Sequence, residues 1–216
     1  MNLYIMRHGE TDWNRQGRLQ GSEDIPLNEY GVALAQKTRE GLEKEQIHFD
    51  RVFTSPYKRA RKTAEIMIGG DDIPLIADPR IREMSFGKYE GIKVRELGVN
   101  PAYREFSKCF DDPEHYISAD GVESYPELFA RVDSFLNEVI LPLDGSCENV
   151  LVVCHGAVVR AFISIIKHMP LSEYWSGIHQ QNCSVNVARV KDGHISMVEM
   201  NRLYYQPNIQ PERRFV

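Results

Sequence analysis

Three short apolar segments, each followed by a polar loop and a helical pattern, constrain the fold of this 216-residue chain most strongly. They cover residues 3–6, 51–54 and 149–154, and the last of them is apolar at almost every position. Strands that are apolar on both faces are typical of parallel sheets covered by helices on both sides. The sequence therefore predicts an α/β fold, a three-layer sandwich with a mostly parallel central sheet.

The helices are predicted from periodicity and from local start signals. Apolar residues recur at helical spacing in residues 30–45, and Ser55-Pro56 provides an N-cap and a helix-starting proline before residues 59–68. A third helix is predicted over residues 157–166. The remaining predicted strands are a short one at 75–77 and an edge hairpin formed by 184–190 and 195–200.

A helical insertion follows the second predicted helix. Residues 88–142 carry no strand pattern, whereas residues 124–141 within them show helical periodicity. We expect this insertion to lie over the carboxyl edge of the sheet as a lid. The chain as a whole, residues 1–216, is predicted to form a single domain with a loose tail over residues 208–216.

Charge and composition exclude several classes of function. The chain carries 26 Lys and Arg against 31 Asp and Glu, so it lacks the basic excess of a protein that binds nucleic acid through phosphates. Its apolar runs are too short to span a bilayer, and we expect no secretory leader. The four cysteines form no C-x-x-C pair, so neither a disulfide framework nor a zinc site is indicated. We therefore expect a cytoplasmic protein without a membrane or nucleic-acid partner.

Basic and imidazole groups follow all three apolar strands. The first strand leads into Arg7-His8-Gly9-Glu10-Thr11, the second into Thr54-Ser55 with Arg59 beyond it, and the third into His155-Gly156 at a helix N-terminus. The ligand crevice of an open α/β sheet lies outside the carboxyl ends of its strands. Because the N–H groups and dipole of a helix N-terminus also favour anions, these groups predict a phosphoryl site.

Two imidazoles at such a site suggest a nucleophile, for which His8 is the better candidate, and a stabiliser of charge. Arg7 can orient a phosphate by a bidentate contact, and Gly9 is expected to leave room for the phosphate to approach closely. A histidine attacks through a neutral ring nitrogen, which requires a carbonyl or carboxylate partner for the other nitrogen. Three carboxyls could protonate the leaving group, and spacing does not choose among them: Glu83, Glu10 and Asp12.

The residues around these positions resemble a known family. Arg7-His8-Gly9-Glu10-Thr11-Asp12-Trp13-Asn14 is similar to the R-H-G-E-T-x-W-N signature of the histidine phosphatase superfamily, in its phosphoglycerate-mutase-like branch. Further motifs follow in the family's order between residues 3 and 200. They are Gln20-Gly21 through Pro26-Leu27-Asn28, Thr54-Ser55-Pro56 with Arg59, Arg82-Glu83 with Gly87 and Glu90-Gly91, and His155-Gly156 with Arg160.

The resemblance implies a fold, a mechanism and a set of site residues. The fold is a three-layer α/β sandwich, the intermediate is a phosphohistidine on His8, and Glu83 donates and accepts the proton. The same resemblance implies no metal and no organic cofactor, because basic side chains neutralise the phosphoryl charge. The implied phosphate-binding residues are Arg7, Asn14, Arg59 and His155, and the implied further contacts to substrate come from Gln20, Gly21 and Gly156.

The region that differs most among family members bears on the reaction type. Mutases of the family have a longer, arginine-rich insertion after the third motif, whereas residues 98–123 of this chain are net acidic. Acidic groups repel a doubly phosphorylated ligand. We therefore predict a phosphatase that hydrolyses a small phosphorylated metabolite. The alternatives are a cofactor-dependent phosphoglycerate mutase and a protein that binds a phosphorylated ligand without turnover.

Two other chemistries are weighed against this one. Cys154 and Arg160 fit the C-x5-R loop of cysteine-dependent phosphatases, but neighbouring residues of a strand point to opposite faces, so Cys154 and His155 are not expected to share the crevice. A metal-dependent hydrolase built on His8 and His155 lacks any H-x-x-x-H or similar ligand spacing.

Overall fold

The computed structural model describes residues 1–119, 121–177 and 179–206. One sheet contains all six strands: β1 (Asn2–Arg7), β2 (Arg51–Thr54), β3 (Leu75–Ala77), β4 (Asn149–Cys154), β5 (Val185–Lys191) and β6 (His194–Arg202). The helices are α1 (Asp12–Gln16), α2 (Glu29–Lys44), α3 (Lys58–Ile68), α4 (Arg104–Asp111), α5 (Tyr125–Phe135) and α6 (Gly156–Lys167). The strand order is β3-β2-β4-β1-β5-β6.

The sheet is mostly parallel, as predicted. β1 pairs with β4, β4 with β2 and β2 with β3, all in parallel, so the carboxyl ends of these four strands lie at one edge. β5 runs antiparallel to β1, and β6 pairs with β5 as the terminal hairpin. The predicted hairpin and the short strand at 75–77 are both confirmed.

Alternate side chains of the central strands divide the core into two layers. Tyr4 and Met6 of β1 lie in a cluster with α2 and α3, whereas Leu3 and Ile5 lie in the opposite cluster with α5 and α6. The three-layer prediction is therefore confirmed. Among the residues that the structure describes, no helix is both long enough and apolar enough to cross a membrane.

The predicted insertion divides into two parts. Its helix α5 begins at a capping box in which Ser124 and Glu127 each accept the other's backbone N–H, and it buries Leu128, Val132 and Phe135. The Phe135 ring contacts Phe53 of β2 at a centroid distance of 5.6 Å, so α5 covers a face of the sheet and is not part of a lid. Helical periodicity predicted a buried face for this segment correctly, but not which surface would cover it.

The part of the insertion before α5 lies near the carboxyl edge. Gly91 N–H donates to the Leu19 carbonyl oxygen and Leu19 N–H to the Ile92 carbonyl oxygen, which fastens this segment to the loop that follows α1. Phe86, just before the insertion, pairs with Val122 in an antiparallel bridge, which brings the two ends of this part of the chain together. The predicted loose tail at 208–216 lies outside the described residues.

Candidate active site

The carboxyl ends of β1, β4 and β2 bring together the groups that the sequence placed there. Because these strands are neighbours, His8 after β1 and His155 after β4 lie side by side, with ring centroids 5.1 Å apart. Both imidazoles are buried. Arg59, the second residue of α3, contacts His155 directly, so three separated segments meet at one point.

His8 is held in the tautomer that a nucleophile requires. Its Nδ1 lies 2.6 Å from the Gly9 carbonyl oxygen, which only accepts hydrogen bonds, so Nδ1 carries the proton and Nε2 the lone pair. Burial, reinforced by the charges of Arg59 and Arg7, holds the pKa of His8 well below its usual range. The imidazole is therefore neutral near pH 7.

His155 has the opposite proton arrangement. Arg59 Nε donates to His155 Nδ1 at 3.1 Å, and a guanidinium only donates, so Nδ1 is unprotonated. The proton is on Nε2, which donates to Ser55 Oγ at 2.7 Å. Burial, together with the charge of Arg59, also lowers the pKa of His155 well below its usual range.

Two buried guanidinium groups flank the imidazoles, and backbone carbonyls hold both. Arg59 Nη1 donates to the Glu23 oxygen at 2.6 Å, and its Nη2 donates to the Gly21 oxygen at 2.8 Å. Arg7 Nη1 donates to the Gln180 oxygen at 2.6 Å. Burial lowers the pKa of Arg59, and it lowers the pKa of Arg7 to about 10, which is still well above neutral pH. Both guanidinium groups therefore remain charged at pH 7.

Glu83 is the carboxyl group that faces these cations. Its Oε1 accepts from Met84 N–H at 2.9 Å, and its Oε2 accepts from Ala157 N–H at 3.3 Å in the first turn of α6. Burial raises the pKa of Glu83, although the two backbone N–H groups and the arginines oppose the rise. A raised pKa suits a carboxyl that must hold a proton at the start of a reaction.

The competing carboxyls lie elsewhere. Asn28 Nδ2 donates to Glu10 Oε1 at 3.0 Å and lies 3.5 Å from Asp12 Oδ1, so both face the start of α2. Of the three carboxyls that spacing left open, Glu83 is therefore the one whose contacts reach the N-terminus of α6.

The loop residues named by the resemblance are used in different ways. Asn14 Nδ2 is buried and has no partner among the residues that the structure describes, so its N–H groups remain available for a ligand. Gln20 Oε1 accepts from Thr11 Oγ1 at 2.9 Å, and the Gly21 carbonyl holds Arg59. A methyl group added at Gly156 would lie 3.7 Å from Arg7 Nε. Contacts of Gln20, Gly21 and Gly156 with a substrate stay predictions.

Gly9 allows the chain to approach Gly31 closely, and the approach of a phosphate at Gly9 stays a prediction. A Cβ atom at Gly9 would lie 2.6 Å from the Gly31 carbonyl oxygen, and one at Gly31 would lie 2.1 Å from the Glu10 carbonyl oxygen. Side-chain carbons do not approach backbone oxygens so closely. The two glycines therefore let α2 pack against the loop after β1.

Several supporting residues were missed from the sequence. Asn182 Nδ2 donates to the His8 carbonyl oxygen at 3.0 Å, and Asn186 Nδ2 donates to Gln180 Oε1 at 2.9 Å. Glu90 accepts from Ser22 N–H at 2.8 Å and Phe86 N–H at 3.0 Å, and so joins two loops of the site. The available signals were the run Gln180-Gln181-Asn182 before an apolar strand and Glu90 in the third motif.

The cysteine alternative is contradicted by the surroundings of Cys154. Its thiol is fully buried in the apolar cluster beneath α6, and burial raises its pKa far above neutrality. Arg160 donates to the carbonyls of Tyr174 and Ser176, at 3.1 and 2.8 Å. The C-x5-R spacing therefore provides no thiolate nucleophile.

The metal-dependent alternative needs a group of ligand side chains that meet at one point. Within residues 1–119, 121–177 and 179–206, no three or more His, Cys, Asp and Glu side chains are grouped so that they could hold a metal ion. The positive charge that faces Glu83 comes from Arg7 and Arg59.

Comparison with known proteins agrees with this arrangement. The model of the family described as Histidine phosphatase superfamily (branch 1) matches residues 3–203, which include every predicted site residue. The chain therefore belongs to the histidine phosphatase superfamily, in its phosphoglycerate-mutase-like branch. Among solved structures, Bacillus stearothermophilus YhfR has a TM-score of 0.81 at 32% identity, covering 92% of this chain and 95% of that one.

The curated relatives include phosphatases and a mutase. The chain is 34% identical over 210 residues to "Probable 2-carboxy-D-arabinitol-1-phosphatase" of Arabidopsis thaliana, which covers 95% of this chain but only 42% of that protein's length. It is 33% identical over 183 residues to "Adenosylcobalamin/alpha-ribazole phosphatase" of Salmonella typhimurium, covering 85% of this chain and 88% of that one. It is 30% identical over 187 residues to "2,3-bisphosphoglycerate-dependent phosphoglycerate mutase" of Methylobacterium sp., covering 82% and 88%.

Burial of the two neutral imidazoles predicts a loss of stability in acid. The pKa values of His8 and His155 are depressed in the folded protein, so below about pH 6.5 the unfolded chain binds more protons than the folded one. As the pH is lowered below this value, the free energy of unfolding should therefore decrease by up to about 1.4 kcal/mol per pH unit for each imidazole. Glu83, whose pKa is raised, opposes this fall between its unfolded and its folded pKa.

Urea unfolding of wild type and His155→Asn between pH 8 and 5 checks this prediction. The variant should show a shallower loss of stability below pH 6.5, because it lacks one buried imidazole. His48→Asn serves as the control, since the His48 side chain is exposed in the folded protein. Equal slopes for wild type and His155→Asn would contradict a neutral His155 in the folded state.

Proposed function

We propose that this chain hydrolyses a small phosphomonoester through a phosphohistidine formed on His8. The observation that carries the proposal is the 2.6 Å contact between His8 Nδ1 and the Gly9 carbonyl oxygen, which leaves the Nε2 lone pair for attack. The two buried guanidinium groups beside it favour an anion at this position. A single domain spanning residues 1–216 and a cytoplasmic location belong to the same proposal.

The phosphoryl group is bound by Arg7, Arg59, His155 and the Asn14 amide. Its oxygens compete with His155 Nδ1 for the Arg59 Nε proton, which frees Nδ1. An adjacent anion also favours the charged form of an imidazole. His155 therefore takes up a proton on Nδ1 and donates it as a hydrogen bond to a phosphoryl oxygen, while Nε2 keeps its bond to Ser55.

The reaction proceeds in two displacements at phosphorus. In the first, His8 Nε2 forms the P–N bond while the P–O ester bond breaks, and the protonated Glu83 carboxyl donates its proton to the leaving alkoxide. In the second, the Glu83 carboxylate takes a proton from water as the water oxygen attacks phosphorus and the P–N bond breaks. The products are the alcohol and inorganic phosphate, and His8 and Glu83 return to their starting states.

Two observations support hydrolysis over transfer to a second hydroxyl. The segment over residues 98–123 is net acidic and repels a ligand with two phosphates. The relatives named above also include phosphatases with different substrates. The mutase relative favours phosphoglycerate mutase as the second candidate function, because transfer uses the same phosphohistidine.

Trapping the intermediate tests the proposed nucleophile. Rapid quenching with a ³²P-labelled monoester should give an acid-labile, base-stable label on the wild-type protein. His8→Ala should carry no label and show no turnover, whereas Cys154→Ala should retain both. Label on Cys154, or label that survives in His8→Ala, would contradict the mechanism.

The fate of the trapped label separates the two candidate functions. We expect a chase in buffer to release the label as inorganic phosphate, and added 3-phosphoglycerate to change little. Transfer of most of the label to 3-phosphoglycerate as a bisphosphoglycerate would instead establish the mutase.

Glu83 should matter in proportion to the basicity of the leaving group. A positioned general acid contributes about 10²–10⁴-fold when an alkoxide leaves, whereas p-nitrophenolate leaves without a proton. Glu83→Gln should therefore slow single-turnover phosphorylation of His8 by an alkyl phosphate by orders of magnitude, and by p-nitrophenyl phosphate much less. Single turnover isolates this step from hydrolysis, in which Glu83 acts as base. An equal loss with both substrates would exclude Glu83 as the acid.

A further inference from the structure

A buried ion pair lies beside the candidate acid and has no place in the mechanism above. Arg131 Nε donates to Glu123 Oε1 at 2.7 Å, and Arg131 Nη2 donates to Glu123 Oε2 at 2.9 Å. This is the bidentate geometry in which a guanidinium and a carboxylate hold each other most rigidly. Both side chains are at least 90% buried. Glu123 ends the acidic segment of the insertion, and Arg131 lies on α5.

Within the part of the chain that the structure describes, the other side-chain bonds of the pair and the backbone N–H of Glu123 go to the segment that carries Glu83. Arg131 Nη1 donates to the Arg80 carbonyl oxygen at 2.6 Å, before Glu83 in the chain. Glu123 N–H donates to the Ser85 carbonyl oxygen at 2.9 Å, after Glu83. Arg82 Nη2 lies 3.3 Å from Glu123 Oε1. The ion pair therefore holds this segment on both sides of Glu83.

Glu83 depends on this segment for its position. Its carboxylate is hydrogen-bonded to Met84 N–H, in the same segment, and to Ala157 N–H, across the crevice in α6. A shift of the backbone at residues 80–85 would change the distance between the carboxyl and α6. A misplacement of about 1 Å in a catalytic group can cost about 10²-fold in rate.

Stability alone is a weak explanation for such a pair. A buried ion pair loses the hydration of both charges, and its replacement by well-packed apolar side chains is often neutral or stabilising. Apolar side chains, however, supply no directional bonds to the Arg80 and Ser85 region. Position, more than stability, is what Glu123 and Arg131 can provide here.

We propose that Glu123 and Arg131 are positioning residues for the leaving-group acid, which they act on through residues 80–85. The inference rests on the proposed function, in which Glu83 is that acid. It predicts that loss of the pair reproduces the leaving-group dependence of a Glu83 defect while leaving anion binding intact. Anion binding is retained because Arg7, Arg59 and His155 lie on other elements.

The main experiment compares single-turnover phosphorylation of His8 by an alkyl phosphate and by p-nitrophenyl phosphate. For Glu123→Gln we expect the alkyl phosphate rate to fall by about 10²-fold and the p-nitrophenyl phosphate rate to fall much less. Arg131→Lys keeps the positive charge and can keep one hydrogen bond to Glu123, so it should retain more of the alkyl phosphate rate than Glu123→Gln does. The inhibition constant of vanadate reports on the anion site and should stay within about threefold of wild type. Loss of a direct hydrogen bond to the anion would change it by more than this.

Two further variants separate position from folding. Glu43→Gln is the matched control, because it removes an ion pair with Arg39 at 2.6 Å on α2, outside residues 80–85, and should change neither rate. Glu123→Leu combined with Arg131→Met replaces the charges with apolar side chains, so it should fold but show the same selective loss with the alkyl phosphate.

The outcomes distinguish this inference from the proposed function. If Glu83→Gln itself slows both substrates equally, the assignment of the acid fails. If Glu83→Gln is selective but the folded Glu123 and Arg131 variants slow both substrates equally, or neither, the positioning role is overturned. Full alkyl phosphate activity in the folded variant that combines Glu123→Leu with Arg131→Met would overturn it as well.

Discussion

The burial of two arginine guanidinium groups at the carboxyl edge of one sheet is the constraint on which the rest of the site depends. A buried cation is tolerated only when its N–H groups are hydrogen-bonded and an opposite charge is close. The loop carbonyls of Gly21, Glu23 and Gln180 meet the first condition, and the charged form of Glu83 meets the second until a phosphoryl anion binds and takes over that role. The loop after α1 and the segment before β5 therefore turn their carbonyls inward, and Gly21 adopts a positive φ of 52° in that turn.

Burial and the same cations together determine the protonation of their neighbours. Burial keeps His8 and His155 neutral, the cations reinforce this effect, and Arg59 occupies Nδ1 of His155. In the proposed mechanism one imidazole is thereby a ready nucleophile, whereas the other becomes a cation only when an anion takes Arg59 away from it. Glu83 responds in the opposite direction, because burial favours its protonated form and the arginines its charged form. An acid placed between these opposing influences can give up a proton and later take one back.

The parts of this structure that could be predicted from the sequence have local signals. Apolar runs mark the strands, and a strand that ends in Arg7-His8 or in His155 puts those side chains at a known edge of the sheet. Gln180 could not be found in this way, because it holds Arg7 through its backbone carbonyl and every residue has such a group. It also lies 173 positions from Arg7 in the sequence. The tautomer of His155 likewise depends on Ser55 and Arg59, which only the folded sheet brings to it.

The same distinction explains why the sequence predicts α5 as part of the lid. Its periodicity showed an apolar face, but the partner of that face, Phe53 in β2, is distant in sequence. Because α5 is anchored in the core, Arg131 is a fixed reference point, and Glu123 connects it to residues 80–85. The segment between Phe86 and Val122 is joined at its ends by the bridge between those two residues. Glu90 and Gly91 within it also bond to the loop after α1, so a substitution at either position is expected to disturb the site.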